Sequence, residues 1–350
     1  LMTFSFADAI NKAFIDAMEE DNKVICMGLG VPDPKGVFGS TLGLQKKFGK
    51  EKVFDIPLSE NALTGVAIGA AATGMRPIMV HQRLDFALVS IEQIVNQAAK
   101  WNFMFNEKMC LPLVIRMIIG RGWGQGPQHS QSLHSWFAHI PGLKVVMPMS
   151  AYDAKGLLLS SIKDNNPVIF LEHRWLYNIK DDVPSNGYHI PLGKGKIVKQ
   201  GRDLTIVSIS YALVECMKAR DVLKQYGIDA EVIDLRSLRP FDKAIILNSV
   251  KKTGNLVVID HAELRFGMTG EIISTVAEEC MQVLKRKPMR IGLKPYPTPT
   301  SYALAKNYYP NDETIVNAVL ELFKIPHIYK KKLEKKDFRD QPDKSFTGPF

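Results

Sequence analysis

The stretch VFDIPLSENALTGVAIGAAATGMRPIMV, residues 53–80, decides the fold class of this chain. It begins with a short apolar run, Val53–Ile56, that stops at Pro57, as a buried strand does. Residues 62–74 then form a helix pattern so rich in Gly and Ala that another backbone can approach it closely. Arg76–Val80 is a second apolar run. A strand, a helix and a strand in this order predict a parallel βαβ unit.

The same alternation continues along the chain. Ser5 is placed to cap a first helix whose apolar face is Ile10, Phe14 and Met18. Further apolar runs predict strands, and further amphipathic segments predict helices. We expect strands at residues 24–27, 113–119, 144–147, 204–209, 230–235 and 256–260, and helices at residues 88–103, 212–226, 270–284 and 312–323.

A domain boundary is expected where this alternation breaks, at Asp181–Tyr188, because its Pro, Ser, Asn and Gly favour a loop. The sequence therefore predicts an α/β fold in two domains, residues 1–185 and residues 186–325. Residues 326–350 are expected to form a basic tail that extends from the fold or docks on a partner.

Composition excludes several classes of protein. Hydrophobic residues make up 46% of the chain, and its longest small apolar stretch, Ala62–Met75, is too short to span a bilayer. The formal net charge is +9, but Ile325–Phe350 alone contributes +3, from seven Lys and Arg against four Asp and Glu. A solvated basic surface is therefore expected, and nucleic-acid binding is not. The four cysteines are scattered among apolar neighbours, which predicts reduced core thiols in a cytosolic protein.

Two short segments carry the chemistry. In Pro57–Gly65, Glu60 stands where a strand gives way to a helix of small residues. It is either a helix-start carboxylate that uses the helix dipole or a buried carboxyl with a raised pKa against a bound heterocycle; spacing alone favours the first. In Gly126–Ser132, His129 follows a glycine-rich loop, from which it either caps a helix or reaches a reacting carbonyl.

The order and spacing of these segments, followed by the His-Ile-Pro-Gly-Leu-Lys-Val-Val run of His139–Val146, resemble the β subunit of thiamine-diphosphate-dependent 2-oxo acid dehydrogenases. That family includes the pyruvate, branched-chain and acetoin enzymes. The resemblance extends from about Phe4 to about Leu322. It implies a pyrimidine-binding domain of the transketolase type at residues 1–185, and a transketolase C-terminal-like domain, concerned with assembly, at residues 186–325.

The resemblance also implies roles for single residues. Glu60 would hydrogen-bond the pyrimidine N1′ of the cofactor, and Phe86 would lie against the pyrimidine ring. Leu58 and Gln82 would belong to the same cofactor-binding site. His129 would face the substrate end of the cofactor and assist acyl transfer.

Other histidines have smaller claims on the chemistry. His139 is expected to hold its own segment in place, and His134 and His173 have weaker claims still. The run from Gly120 to Gly126 looks like a phosphate cradle but lacks the spacing of known phosphate-binding loops. It is either a flexible loop or, as the resemblance implies, a segment at the mouth of the active site that contacts another subunit.

No Gly-Asp-Gly sequence occurs anywhere in the chain, although thiamine enzymes bind the metal and diphosphate with that motif. The resemblance therefore implies half of an active site, with the diphosphate and its Mg²⁺ held by an α subunit in an α2β2 heterotetramer. The implied reaction decarboxylates a 2-oxo acid, or cleaves a related ketone, and transfers the acyl group to lipoamide or another acceptor. A lipoyl acyltransferase core is a further expected partner.

A possible potassium site is implied in the segment Ser161–Pro167. Its ligands would be the carbonyl groups of Leu113, Ser161 and Asp164 together with Asn166. Oxygen donors suit a hard cation, although a plain turn stays open for this segment.

The chain departs from its family at three places. Gly28–Gly30 reads Gly-Leu-Gly where relatives carry an acidic residue, and Val80 replaces a usual glutamate. His81 and Arg83 stand where apolar residues are usual. These two side chains indicate either a more polar or more anionic substrate than pyruvate, or a contact with the α subunit.

Two alternatives to the dehydrogenase interpretation are kept. One is the C-terminal half of a split transketolase, which transfers ketol units without decarboxylation; the segments around His129 and His139 argue against it. The other is a scaffold subunit that has lost its chemistry, which the presence of Glu60, Phe86 and His129 disfavours.

Overall fold

A computed structural model of the chain describes residues 2–121 and 124–331. Gly122 and Trp123 of the glycine-rich loop, and residues 332–350 of the predicted tail, lie outside the described residues. The structure is an α/β protein with two large sheets, as the sequence predicts.

Fourteen strands lie within the described residues. They are β1 (Met2–Ser5), β2 (Val24–Met27), β3 (Val53–Phe54), β4 (Arg76–His81), β5 (Val114–Ile119), β6 (Lys144–Val146), β7 (Val168–His173), β8 (Lys180–Val183), β9 (Lys196–Lys199), β10 (Leu204–Ser208), β11 (Ala230–Asp234), β12 (Ser237–Arg239), β13 (Leu256–Glu263) and β14 (Met289–Leu293).

Twelve α-helices accompany them in the described part of the chain. They are α1 (Phe6–Glu20), α2 (Leu44–Phe48), α3 (Glu60–Ala72), α4 (Leu84–Ala87), α5 (Ala99–Met104), α6 (His134–His139), α7 (Ala151–Lys163), α8 (Ala212–Gln225), α9 (Lys243–Thr253), α10 (Met268–Cys280), α11 (Tyr302–Ala305) and α12 (Asp312–Leu322).

The first sheet has seven strands in the order β12-β6-β7-β5-β4-β2-β3, and all neighbours are parallel except β12 and β6. The second has five strands in the order β14-β13-β10-β11-β9, and only β9 is antiparallel to its neighbour. Because parallel strands all end at one edge, each sheet gathers its strand-end loops there, where ligands of such sheets collect.

Strand β12 follows β11 of the second sheet in the chain but pairs with the first sheet. Ser237 lies opposite Val146, and Arg239 lies opposite Val145. The Arg239 guanidinium also donates to the Ala138 carbonyl at 2.8 Å. The two halves of the chain are therefore joined by a shared strand as well as by side-chain packing.

The predicted first helix is confirmed. Ser5 caps α1 in a capping box: its hydroxyl accepts from the Asp8 N–H at 3.1 Å, and the Asp8 carboxylate accepts from the Ser5 N–H at 3.3 Å. Ile10, Phe14 and Met18 are buried on its inner face. Strand β2 has the predicted bounds, and most of the other predicted elements differ from prediction by one or two residues, but β7, α7 and α9 are among the elements that were not predicted.

Two predictions were wrong in detail. A single α-helix was expected at residues 88–103, but the segment is a 3₁₀ turn at Leu88–Ser90, a π-helix at Gln93–Ala98 and then α5. The Gln93 side chain lies so close to Gly65 of α3 that a Cβ there would be 3.2 Å from Gln93 Oε1, a long-range packing contact that local periodicity does not encode. Core burial was expected for all four cysteines; Cys26, Cys216 and Cys280 are buried, but Cys110 is exposed.

None of the helices in the described ranges has the length and hydrophobicity that a membrane span requires.

Candidate active site

Glu60 is the first residue of α3, at the carboxyl-terminal edge of the first sheet. The turn before it is shaped by Asp55, whose carboxylate accepts from the N–H groups of Gly30 and Ile56, both at 2.9 Å. This turn leaves the Leu58 side chain 77% exposed. Of the residues predicted to bind the cofactor, Leu58 is thus the one that the chain itself does not cover.

A small cleft, open to solvent, lies beside Glu60. It lies where β2, β3 and β4 end. Its lining combines one carboxylate, one amide, one imidazole and one phenyl ring with apolar side chains. The lining residues are Leu29, Ile56, Glu60, Val80, His81, Gln82 and Phe86.

Two glycines allow the backbone to pack closely against the residues that line this cleft. A Cβ at Gly28 would overlap the Val80 carbonyl, and Gly30 has a φ of +72°, with a Cβ position only 2.5 Å from Gln82 Nε2. Gln82 Nε2 donates to the Leu29 carbonyl at 3.0 Å. The Gly-Leu-Gly run that departs from the family pattern therefore lies in the cleft wall, where glycine permits the close approach.

His81 ends β4 and is only 3% exposed. Burial lowers the pKa of its imidazole to about 4, so that the ring is neutral at neutral pH. Its Nε2 has no hydrogen-bond partner among the described residues. His81 thus presents a polar but uncharged ring to the cleft.

Arg83 takes a different direction from His81, although only one residue separates them. It is 2% exposed, and its guanidinium donates to the Gly120 carbonyl and to Gln125 Oε1. Burial lowers its pKa to about 10, which still leaves it charged at neutral pH. It is not among the residues that line the cleft. The charge of Arg83 is therefore directed to the glycine-rich loop.

His129 closes a 3₁₀ turn, Pro127–His129, and its ring packs edge-on against Phe86 with 5.4 Å between ring centroids. Ser130 stabilises this turn, because its hydroxyl donates to the Gln125 carbonyl at 3.2 Å. Since Phe86 also lines the cleft, the structure brings Glu60, Phe86 and His129 to one place.

Asp85 links the same two segments. Its carboxylate accepts from Gln131 Nε2 at 2.9 Å and from the Gln131 N–H at 3.3 Å. Burial raises the pKa of this carboxyl. Its partner lies 46 residues away along the chain, so no local sequence pattern indicates this contact.

The glycine-rich loop also contacts the second half of the chain. Arg121 Nη2 donates to the Thr300 carbonyl at 2.9 Å, and a Cβ at Gly126 would be 2.5 Å from Thr300 Oγ1. The loop that carries His129 therefore lies at the joint between the two sheets.

A buried group of histidines at this joint was not foreseen. His134 Nε2 lies 2.7 Å from Asp260 Oδ2, and His173 stacks on Tyr211 with 5.2 Å between centroids. His261 contacts both His173 and Tyr211, and burial lowers the pKa of His173 and of His261. These residues come from four separate segments, so no local sequence pattern indicates their meeting. His139, by contrast, is exposed.

The oxygens of the predicted potassium segment have donors of their own. The Ser161 carbonyl accepts from the Asp164 N–H at 3.3 Å, and the Leu113 carbonyl accepts from a β7 N–H at 2.9 Å. The Asn166 N–H donates to Asp164 Oδ1 at 2.9 Å, and Arg76 Nη1 donates to the Asp164 carbonyl at 3.1 Å. A guanidinium thus already lies against one of the four predicted ligands, and like charges at one carbonyl disfavour a second cation.

The chemistry of the cleft fits one end of a flat heteroaromatic cofactor. Apolar side chains and the Phe86 ring can cover its faces, and Glu60 can bond a ring nitrogen. In residues 2–121 and 124–331 there is no group of three or more His, Cys, Asp or Glu side chains that could hold a metal ion.

Comparisons with known proteins give a consistent result. The family described as "Transketolase, pyrimidine binding domain" matches residues 2–180, and "Transketolase, C-terminal domain" matches residues 193–315. The chain is 40% identical to the acetoin:2,6-dichlorophenolindophenol oxidoreductase subunit beta of Bacillus subtilis, over 92% of this chain and 98% of that one. It is 39% identical to a mitochondrial pyruvate dehydrogenase E1 component subunit beta of Oryza sativa, over 89% and 84%.

Two more comparisons complete the picture. The 2-oxoisovalerate dehydrogenase subunit beta of Bacillus subtilis is 36% identical, over 92% of this chain and 99% of that one. Among solved structures, a split-gene transketolase, described as an inactive β4 tetramer, superposes with a TM-score of 0.75 over 93% of this chain and 99% of that one. Its sequence is only 20% identical, and the likeness shows the fold alone.

Proposed function

Because the chain belongs to the β subunits of thiamine-diphosphate-dependent 2-oxo acid dehydrogenases, we propose that it supplies half of an active site and works with an α subunit. One observation carries this proposal: Glu60, Gln82 and Phe86 line one cleft, and His129 packs against Phe86 at its edge. The alternative of a split transketolase has only the shared fold in its favour, at 20% identity.

Bound thiamine diphosphate would supply the nucleophilic carbon and the electron sink that decarboxylation of a 2-oxo acid requires. Glu60 would hold the pyrimidine N1′ and share a proton with it. Phe86 would cover one face of the ring, and Gln82 and Leu58 would complete the contact. Glu60 stands at the start of a helix and lines the cleft in which the ring would lie.

His129 would act at the substrate. It lies on a loop at the edge of the cleft, half-buried against Phe86, where a substrate carbonyl next to the cofactor comes within its reach. An imidazole there can hold or move a proton at the carbonyl oxygen while the acyl group passes to lipoamide or another acceptor.

The structure favours a substrate with an added polar group over one that carries an anionic group beyond the carboxylate of a 2-oxo acid. His81 lines the cleft as a neutral ring, and the Arg83 charge is directed to the loop. Neither side chain brings positive charge into the cleft. We therefore propose a small 2-oxo acid, or a related ketone that carries a hydroxyl group, whose polar atom hydrogen-bonds His81. The acetoin enzyme among the relatives acts on a ketone of this kind.

We propose the following partners. The α subunit would hold the diphosphate and its Mg²⁺ in an α2β2 heterotetramer, and a lipoyl acyltransferase core would accept the acyl group. Potassium binding near Asp164 would have to compete with Arg76, which already donates to the Asp164 carbonyl. A cytoplasmic location remains a proposal, and the relatives include mitochondrial proteins.

Reconstitution with the α subunit tests the function. The purified pair, loaded with thiamine diphosphate and Mg²⁺, is assayed against acetoin and a panel of 2-oxo acids with ferricyanide as electron acceptor. We expect cofactor-dependent oxidation of at least one member of the panel. A pair that assembles and binds the cofactor, yet oxidises none of them, would contradict the proposal and support the scaffold alternative.

A further inference from the structure

The turn between β4 and α4 holds the loop that carries His129 at several points. Arg83 donates to Gly120 and Gln125, and Asp85 accepts from Gln131. Phe86 packs against the His129 ring itself. Three of four consecutive side chains therefore contact one segment, residues 120–131.

Arg83 is suited to hold such a loop because its guanidinium is a planar fork of donors that locks two acceptors in one geometry. One acceptor, the Gly120 carbonyl, is at the start of the loop, and the other, Gln125 Oε1, is five residues later. Gly120 itself has a φ of +79°, and a Cβ there would overlap the His173 ring. The start of the loop is thus fixed on one side by His173 and on the other by Arg83.

The neighbouring charges explain why a buried cation is tolerated here. The Asp85 carboxylate raises the pKa of Arg83, against the lowering by burial and by Arg174. The same carboxylate binds Gln131, two residues after His129, while Arg83 binds Gln125, four residues before it. The two charges therefore clamp the loop on both sides of the histidine.

We propose that Arg83 is a positioning residue that sets the His129 loop for catalysis, and that it does not bind substrate. This inference rests on the proposed function, since it assigns Arg83 a task in that reaction. It differs from both interpretations of Arg83 that the sequence left open, a substrate clamp and an α-subunit contact, because Arg83 is only 2% exposed in the chain, does not line the cleft and donates to two acceptors in the loop.

The first experiment is independent of catalysis. Hydrogen exchange of the full-length chain, alone and with its α subunit, is followed by mass spectrometry for wild type and for Arg83→Met. We expect amides of residues 120–131 to exchange roughly tenfold faster or more in the variant, as the loss of charge-assisted hydrogen bonds implies, with β5 unchanged. Arg76→Met is the matched control: Arg76 also donates to carbonyl groups, but in residues 162–165, so exchange at 120–131 should not change.

The second experiment separates positioning from substrate binding. In the reconstituted pair, Arg83→Met should lower kcat for acyl transfer about tenfold or more and leave KM for the 2-oxo acid or ketone within about twofold. Gln125→Ala should act in the same direction, and the double variant should be no slower than Arg83→Met. Gln125→Glu, which keeps an acceptor for the guanidinium, should stay near wild type.

The outcomes discriminate clearly. A raised KM with unchanged exchange at 120–131 would overturn the proposal in favour of a substrate clamp. Unchanged exchange and unchanged kinetics would remove Arg83 from the mechanism. If Arg83→Met does not fold, Gln125→Ala tests the same hydrogen bond from the loop side. If the wild-type pair is inactive on every substrate, the proposed function fails, while the exchange experiment still decides whether Arg83 holds the loop.

Discussion

The ring of His129 stands nearly perpendicular to the ring of Phe86, at 78°, with 5.4 Å between their centroids. Phe86 lines the cleft that contains Glu60, whereas His129 belongs to a loop more than 40 residues later in the chain. An edge-on aromatic contact is directional, and it fixes where the imidazole can move. The contact therefore joins the cofactor side of the proposed site to its substrate side.

We expect Glu60→Gln to lower turnover of the reconstituted pair by roughly 10²–10⁴-fold, because the amide can hydrogen-bond a ring nitrogen but cannot share a proton with it. Assembly and thermal stability should change little, since the side chain lines a cleft. Glu51→Gln, at an exposed position, is the control. Wild-type turnover in Glu60→Gln would remove Glu60 from the mechanism.

His129→Ala should lower the rate of one step of the reaction more than that of another. Acyl transfer to the natural acceptor should fall strongly, while oxidation measured with ferricyanide should fall less, because the proposed role of His129 concerns the transfer step. The exposed His139→Ala serves for comparison and should leave both rates unchanged. Equal losses in the two assays would place His129 in an earlier step.

The isolated chain should bind thiamine diphosphate poorly. The cleft offers groups for the pyrimidine end, and the chain carries no Gly-Asp-Gly sequence for the metal and diphosphate. Titration calorimetry on the chain alone should show no tight, Mg²⁺-dependent binding. A submicromolar dissociation constant would show that this chain holds a whole site.

His81 should make stability depend on pH in a defined direction. Its folded-state pKa, about 4, lies below the ordinary value of 6.5, so the folded protein binds fewer protons than the unfolded chain between these values. The free energy of unfolding should therefore be highest above pH 6.5 and fall as the pH is lowered toward 4, with an upper limit on the order of 3 kcal/mol from this group. His173 and His261 act in the same sense, so a difference measurement is needed.

That difference is the urea-unfolding free energy of wild type minus that of His81→Ile, measured at several pH values between 7 and 5. This difference should become less positive, or more negative, as the pH falls. Protonation of His81 in the unfolded chain lowers the wild-type value, whereas the isoleucine has no proton to take up. A difference that does not change with pH for His81→Ile would show that the His81 imidazole is not buried in the folded protein.

The sequence predicted most of the parallel strands because a buried strand appears locally as a short apolar run, but it missed β7 and β14. Val24–Met27 is a strand predicted in this way, and the helix capped by Ser5 was also predicted. The sequence could not predict that Met2–Ser5 pairs with Lys180–Val183. The two segments are almost a domain length apart in the chain, and neither has a local sequence pattern that identifies its partner. The π-helix at Gln93–Ala98 was missed for a similar reason, as it packs against a glycine of another helix.

The candidate site divides in the same manner. Glu60, Phe86 and His129 each sit in a recognisable segment, and the structure places the three together, although their roles stay predictions. The direction of Arg83 was not predictable, because its acceptors lie 37 and 42 residues further along the chain. Alternation along a strand would put His81 and Arg83, which are two residues apart, on the same face. Strand β4 ends at His81, however, and Arg83 lies in the turn before α4, where that alternation no longer applies.

The pairing of Ser237–Arg239 with Lys144–Val146 has a consequence for dissecting this protein. A fragment that ends at residue 185 would keep β6 but lose β12, the strand that covers its outer side, and an uncovered sheet edge invites pairing with other chains. We expect such a fragment to aggregate, and the missing strand, supplied as a short peptide, to suppress that aggregation. Although the chain divides into two domains, the seven-stranded sheet of the first cannot be completed until the ribosome has synthesised residue 239.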